Sequence, residues 1–107
     1  MVKLNFFVPE SHLESVKSAL FDAGAGRIGD YDSCCWQTKG TGQFRGLEGS
    51  NPFIKNKEGK KGEIEQVEEY KVELVCDDAL IRDVVAALKH SHPYEEPAYD
   101  VIKLEDF

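Results

Sequence analysis

Two kinds of periodicity follow one another along this chain, and their order constrains the fold more than its composition does. In VKLNFFVP, residues 2–9, Val2, Leu4, Phe6 and Val8 fall on one side and Lys3 and Asn5 on the other, the period-two signature of a strand with one buried face. Pro9 ends that strand. SHLE follows in the form of a capping box, with Ser11 accepting from the first-turn amides and Glu14 reaching back, and Leu13, Val16, Leu20 and Ala23 continue at helical spacing up to Gly24. The second half repeats the plan. In EQVEEYKVELVC, Val67, Glu69, Lys71, Glu73 and Val75 alternate with Tyr70, Val72, Leu74 and Cys76, which predicts a strand. Asp77 or Asp78 is placed to cap a second helix with an apolar stripe of Leu80, Ile81, Val84, Val85 and Leu88, and Tyr99 to Leu104 returns as a strand. Between the halves, YDSCCWQTKGTGQFR combines aromatic and β-branched residues with glycine breaks, as a bent strand and turn would.

The resulting order is strand, helix, strand, strand, helix, strand. It predicts an α+β, ferredoxin-like two-layer sandwich in which two helices cover one face of an antiparallel sheet. The two halves share no residue-level identity, so the repeat is one of architecture alone. With 107 residues and 41% hydrophobic content, the chain is expected to form one domain over residues 1–107. RGLEGSNPFIKNKEGKKG, residues 45–62, lacks periodicity and is expected to be an exposed loop.

Charge and patterning narrow the partners. A net charge of −7, from 20 acidic and 13 basic residues, repels a phosphate backbone, so no nucleic-acid partner is expected. No apolar run approaches the roughly 20 residues of a membrane span, and the N-terminus lacks a signal-peptide pattern, so a cytoplasmic protein without a membrane partner is expected. Three cysteines, with Cys34 and Cys35 adjacent, are expected to be reduced thiols.

KHSHPYEEPAYD, residues 89–100, is the densest group of chemistry-bearing side chains. His90, His92, Glu95 and Glu96 supply nitrogen and carboxylate donors for a divalent ion such as zinc. The same residues also suit a structural connection. Pro93 disfavours helical geometry at His92, and histidine near a helix C-terminus complements the dipole. No recognised spacing such as HExxH decides between the two. Cys34 and Cys35, if on a regular strand, point to opposite faces and cannot ligate one ion together. The glycines of GAGRIG follow a helix instead of preceding one, which removes the geometry of a phosphate loop. Tyr31, Trp36 and Phe44 present aromatic surface to a face the helices cannot reach. If the two unusual segments serve one ligand or partner, Tyr31 or Trp36 should lie near His92, Tyr94, Glu95 or Glu96, within one subunit or across an interface. No Ser-His-Asp order, Walker loop or Rossmann fingerprint can be assembled, so no catalytic residue is assigned.

GAGRIGDYDSCCWQTKGTGQF, GLEGSNPFI, EIEQVEEYKVELV and HPYEEPAYDV together resemble the CutA-like domain that is inserted in many Nif-three-like (YqfO-type) dinuclear-metal proteins and also occurs alone. The resemblance runs from the first strand to Leu104. It implies a ferredoxin-like fold related to CutA and the PII signalling proteins, relatives that are usually trimeric, in a standalone form. It does not imply the dinuclear metal chemistry, whose ligands lie in the flanking domain of the inserted form. The function expected is that of a small cytoplasmic, non-enzymatic binding or regulatory module that self-associates, with a homotrimer favoured and no cofactor. The alternatives are a divalent-metal-binding protein of metal homeostasis using the HPYEEP segment, and a small hydrolase with a site between subunits.

Overall fold

Residues 1–53 and 62–107 are described in the structure, a computed structural model. Its elements are β1 (Val2–Pro9), a 3-10 turn (Glu10–His12), α1 (Leu13–Asp22), β2 (Trp36–Arg45), β3 (Ile64–Cys76), α2 (Ile81–Ser91) and β4 (Tyr99–Lys103). The strands form one antiparallel sheet in the order β2-β3-β1-β4. This is the ferredoxin-like sandwich that the order of periodicities predicts. β1 occupies an interior position, which explains why its apolar alternation is the cleanest in the sequence.

Opposed residues of antiparallel strands share a face, so register shows how the core is built. Phe6 lies opposite Val72 and Tyr99, and Leu4 opposite Leu74 and Val101. Val16 and Leu20 of α1 and Val84 and Leu88 of α2 cover that side, and like Leu4, Phe6, Val8 and Val72 they are fully buried. Each such side chain contributes about 1.5–3 kcal/mol by leaving water. The opposite face carries Lys3, Phe7, Glu69, Lys71 and Glu73, all half-buried, and no helix among the described residues covers it.

Both helix starts differ from the capping expected. The 3-10 turn places the start of α1 beyond Ser11, whose Oγ hydrogen-bonds to His12 Nδ1 at 2.8 Å, and the N-cap residue His12 supplies no side-chain cap. Glu14 turns to Lys17 Nζ at 2.9 Å instead of reaching back. At α2, Asp77 Oδ1 accepts from the Ala79 amide at 3.1 Å and so caps the turn that leads into the helix, while Asp78 lies 2.6 Å from the Met1 ammonium.

The stretch before β2 is a turn, not the beginning of a strand. Ile28 and Tyr31 exchange backbone hydrogen bonds, and the segment is stitched to the sheet through Gly26, whose amide donates to the Val75 carbonyl and whose carbonyl accepts from Cys34, both at 2.8 Å.

At the other end of the sheet, β1 stops at Pro9, opposite Glu69. Beyond that point, among the described residues, Thr41–Arg45 and Ile64–Glu68 pair only with each other, as a two-stranded ribbon. Of the loop expected over 45–62, Arg45 closes β2, residues 46–53 are irregular, and residues 54–61 lie outside the described residues. Among the described residues no helix is long and apolar enough to cross a membrane.

Candidate functional site

Pro93 sets the geometry of the HPYEEP segment. It forces His92 into extended backbone, φ −75° and ψ 139°, and ends α2 there. The His92 side chain turns inward and is only 6% exposed. Its Nε2–H donates to the Phe7 carbonyl at 2.6 Å, and its Nδ1 accepts from the Tyr94 amide at 3.1 Å. That pair of bonds requires the neutral Nε2–H tautomer and occupies both ring nitrogens. His92 thus ties the end of α2 to β1. Burial holds its pKa below the ordinary 6.5; the Phe7 carbonyl opposes that shift and the charge of His12 adds to it.

His92 orients the next aromatic residue. The Tyr94 ring packs against it, centroids 4.7 Å apart at 61°, and the Tyr94 hydroxyl donates to Glu69 Oε2 at 3.3 Å. Glu69 sits on the uncovered face of β3, where β1 ends, and its carboxylate lies across Gly42 of β2, so that a Cβ on Gly42 would overlap it. Burial raises the pKa of Glu69, an effect the Tyr94 hydrogen bond partly offsets, and burial together with the nearby Glu69 charge raises that of Tyr94. Phe53 completes the group, 5.5 Å from the His12 ring and 6.2 Å from that of Tyr94. Glu95 Oε2 accepts from the Asn51 amide at 3.0 Å and holds residues 50–53 against the segment.

These groups surround a cleft of about 410 Å³ at the base of the ribbon. Tyr94, Glu95, Glu96 and Glu69 form its polar side, and Phe7, Phe44 and Phe53 are among its apolar walls. Sequence reasoning had singled out Tyr94, Glu95 and Glu96. It missed Glu69 and Phe53, because Glu69 is one of several alternating strand carboxylates and only the β-register brings it to Tyr94.

The other expected site residues lie elsewhere. Trp36, 70% exposed, and the exposed Tyr31 are near the opposite end of β3, since Trp36 pairs with Glu73. Four residues of strand, roughly 13 Å, separate Glu73 from Glu69. Trp36, Ile28, Cys34 and Cys35 line a separate cleft of about 460 Å³. Within one chain, the two segments therefore serve different clefts. His90 is exposed on the last turn of α2, and among the described residues no group of three or more His, Cys, Asp or Glu side chains could hold a metal ion.

His92 also gives a pH dependence with a definite sign. Because its folded pKa is depressed, the unfolded chain takes up the proton first as pH falls, so stability is complete above the unfolded value of 6.5 and declines as pH drops through it. Urea midpoints measured at about pH 7.5 and pH 5.5, either side of the ordinary histidine value, should show a larger loss for the wild type than for His92→Gln. Equal losses would remove the buried neutral histidine from this account.

Comparison with known proteins bears on the fold and on relatedness. No family model matches the chain. The chain is 50% identical over 104 residues to a protein of Halalkalibacterium halodurans named GTP cyclohydrolase 1 type 2 homolog, a match covering 97% of this chain and 27% of that one. A solved structure of a Bacillus cereus protein related to NIF3 superposes with a TM-score of 0.82 at 42% identity, over 98% of this chain and 26% of that one. The chain spans about a quarter of the length of the curated relatives it matches. CutA1 from Pyrococcus horikoshii superposes over the whole chain and 86% of its own length, with a TM-score of 0.69 at 19% identity, a likeness of fold. The chain is thus similar at high identity to one segment of NIF3-related proteins and shares the ferredoxin-like fold of CutA.

Proposed function

We propose that this CutA-like unit is a non-enzymatic binding or regulatory module of the cytoplasm that works as a homo-oligomer, a trimer being the expected assembly. The observation that carries the reading is the ribbon of Thr41–Arg45 and Ile64–Glu68, which extends past β1 with no third strand beside it among the described residues. A two-stranded hairpin is marginal in water unless something packs on it, and its unpaired backbone groups are a template for another strand. β2 is exposed along most of its length, Ile64 is 61% exposed, and no proline blunts either ribbon strand. A second copy of the chain meets these needs by pairing edge to edge and covering the apolar side chains. The cyclohydrolase in the relatives' name belongs to proteins about four times as long, and the cleft beside the ribbon is read here as a binding site. Three free thiols fit a reducing compartment.

Light scattering at tens of micromolar, roughly the range in which weak association registers, should give about three times the 12.0 kDa mass of one chain. A strict monomer under those conditions would remove the assembly reading.

A further inference from the structure

The cleft at the base of the ribbon has a chemistry that selects its occupant. Its volume, about 410 Å³, lies in the range of small-molecule sites. Among the described residues its carboxylates Glu69, Glu95 and Glu96 outnumber the one lining cation, Arg45, and no described lysine or arginine pairs with Glu69. Glu95 is engaged with the Asn51 amide, whereas among the described residues Glu69 has the Tyr94 hydroxyl as its one side-chain partner. Ser50 Oγ, in the same cleft, is buried without a hydrogen-bond partner. Aromatic rings from Phe53, Tyr94 and Phe44 line the rest.

We infer that this cleft binds a small organic cation, an ammonium or amidinium group on an apolar frame, with the charge on Glu69 and the frame against Phe53 and Tyr94. An ammonium brings only donors, and the cleft presents acceptors for them in the Glu69 carboxylate, the Tyr94 oxygen and Ser50 Oγ. Aromatic faces add attraction for a cation in a partly dry site. An anion of similar size meets the excess of carboxylates and is rejected. A divalent metal lacks a third ligand, since no group of three donors forms among the described residues. The partial burial of Glu69 fits this role, because a partly desolvated carboxylate with no cationic partner among the described residues regains its lost solvation when the ligand's charge arrives. This ligand class rests on the reading of the chain as a binding module and is independent of its assembly state.

The test uses three probes of one shape, benzylamine, benzyl alcohol and benzoate, titrated into the full chain at low salt and followed by amide chemical shifts. Benzylamine should bind saturably, shifting the amides of Gly42, Phe53 and Tyr94, with benzyl alcohol weaker and benzoate showing no saturation. Glu69→Gln, which keeps the side-chain shape, should weaken benzylamine about tenfold or more, the scale of one lost charge-assisted hydrogen bond. Tyr94→Phe should weaken it less and leave the preference for cation over anion intact. Benzoate binding as well as benzylamine, benzylamine indifferent to Glu69→Gln, or no saturation by about 10 mM, where even fragment-sized ligands register, would each overturn the inference. Light scattering on the same samples keeps the readings apart. An oligomer that ignores benzylamine removes this inference alone, and a monomer that binds it removes the assembly alone.

Discussion

Phe6→Ala should lower the unfolding free energy by about 3–5 kcal/mol, the usual range for truncating a buried phenylalanine. Phe6 is fully buried in the interior strand, opposite Val72 on one side and Tyr99 on the other, under both helices. Its ring therefore has neighbours in every layer, and removing it leaves a void that none of them can fill without leaving the sheet register. For a small domain with a total stability of roughly 5–15 kcal/mol, a loss of that size is a large share of the whole. Urea denaturation of the variant beside Phe7→Ala, on the uncovered face, provides the comparison. A Phe6→Ala cost below about 1 kcal/mol, or one no greater than that of Phe7→Ala, would contradict the core described above.

The second large effect comes from the backbone. Gly26 has φ +77°, and a Cβ there would lie 2.7 Å from the Cys34 carbonyl oxygen and 2.9 Å from the Phe21 ring. Gly26→Ala therefore combines left-handed strain, about 1–3 kcal/mol for an ordinary residue, with a collision against backbone that is itself bonded to Gly26. Its hydrogen bonds to Val75 and Cys34 hold the turn before β2 against the sheet, so a shift there loosens the whole segment from Ile28 to Cys35. A loss of about 2 kcal/mol or more is expected. Gly29→Ala separates the two causes, because Gly29 also has positive φ, +56°, but nothing within 4 Å of its Cβ position. The Gly26 variant should be the less stable of the two in thermal melts; the reverse order would mean that the stitch through Gly26 does not bear on stability.

These two sites show what could and could not be read in advance. Phe6 was legible because an interior strand under two helices needs every second residue apolar, and VKLNFFVP supplies that over its full length. The second strand and helix were legible for the same reason, through Val72, Leu74 and Cys76 and the stripe Val84 and Leu88. The α1 start was misread because S-x-x-E matches a capping box in sequence, while the chain leaves Pro9 in a 3-10 turn that places His12, not Ser11, at the N-cap. The cleft was half legible. HPYEEP stood out by composition, but its partner Glu69 looked like any alternating strand carboxylate until register brought it opposite the end of β1. Tyr31 and Trp36 were joined to the HPYEEP segment because both stretches are unusual; within one chain the register sets them roughly 13 Å apart along β3, and a meeting across a subunit interface depends on the assembly.

The interior place of β1 also bears on how the chain folds. Its two neighbours come late in the sequence, Val2 lying opposite Cys76 on one side and Lys103 on the other. Of the four strands, the first in sequence is thus the last to be fully paired, and it must wait for β4 before its ladder closes. Pairings that distant in sequence make folding slower than that of helical bundles, in the intermediate range of mixed α/β domains. During that interval VKLNFFVP is an apolar strand with both edges open, so in a growing chain it is the segment that most needs a chaperone or an early hydrophobic contact with α1 to keep it from pairing with its counterpart on a neighbouring ribosome.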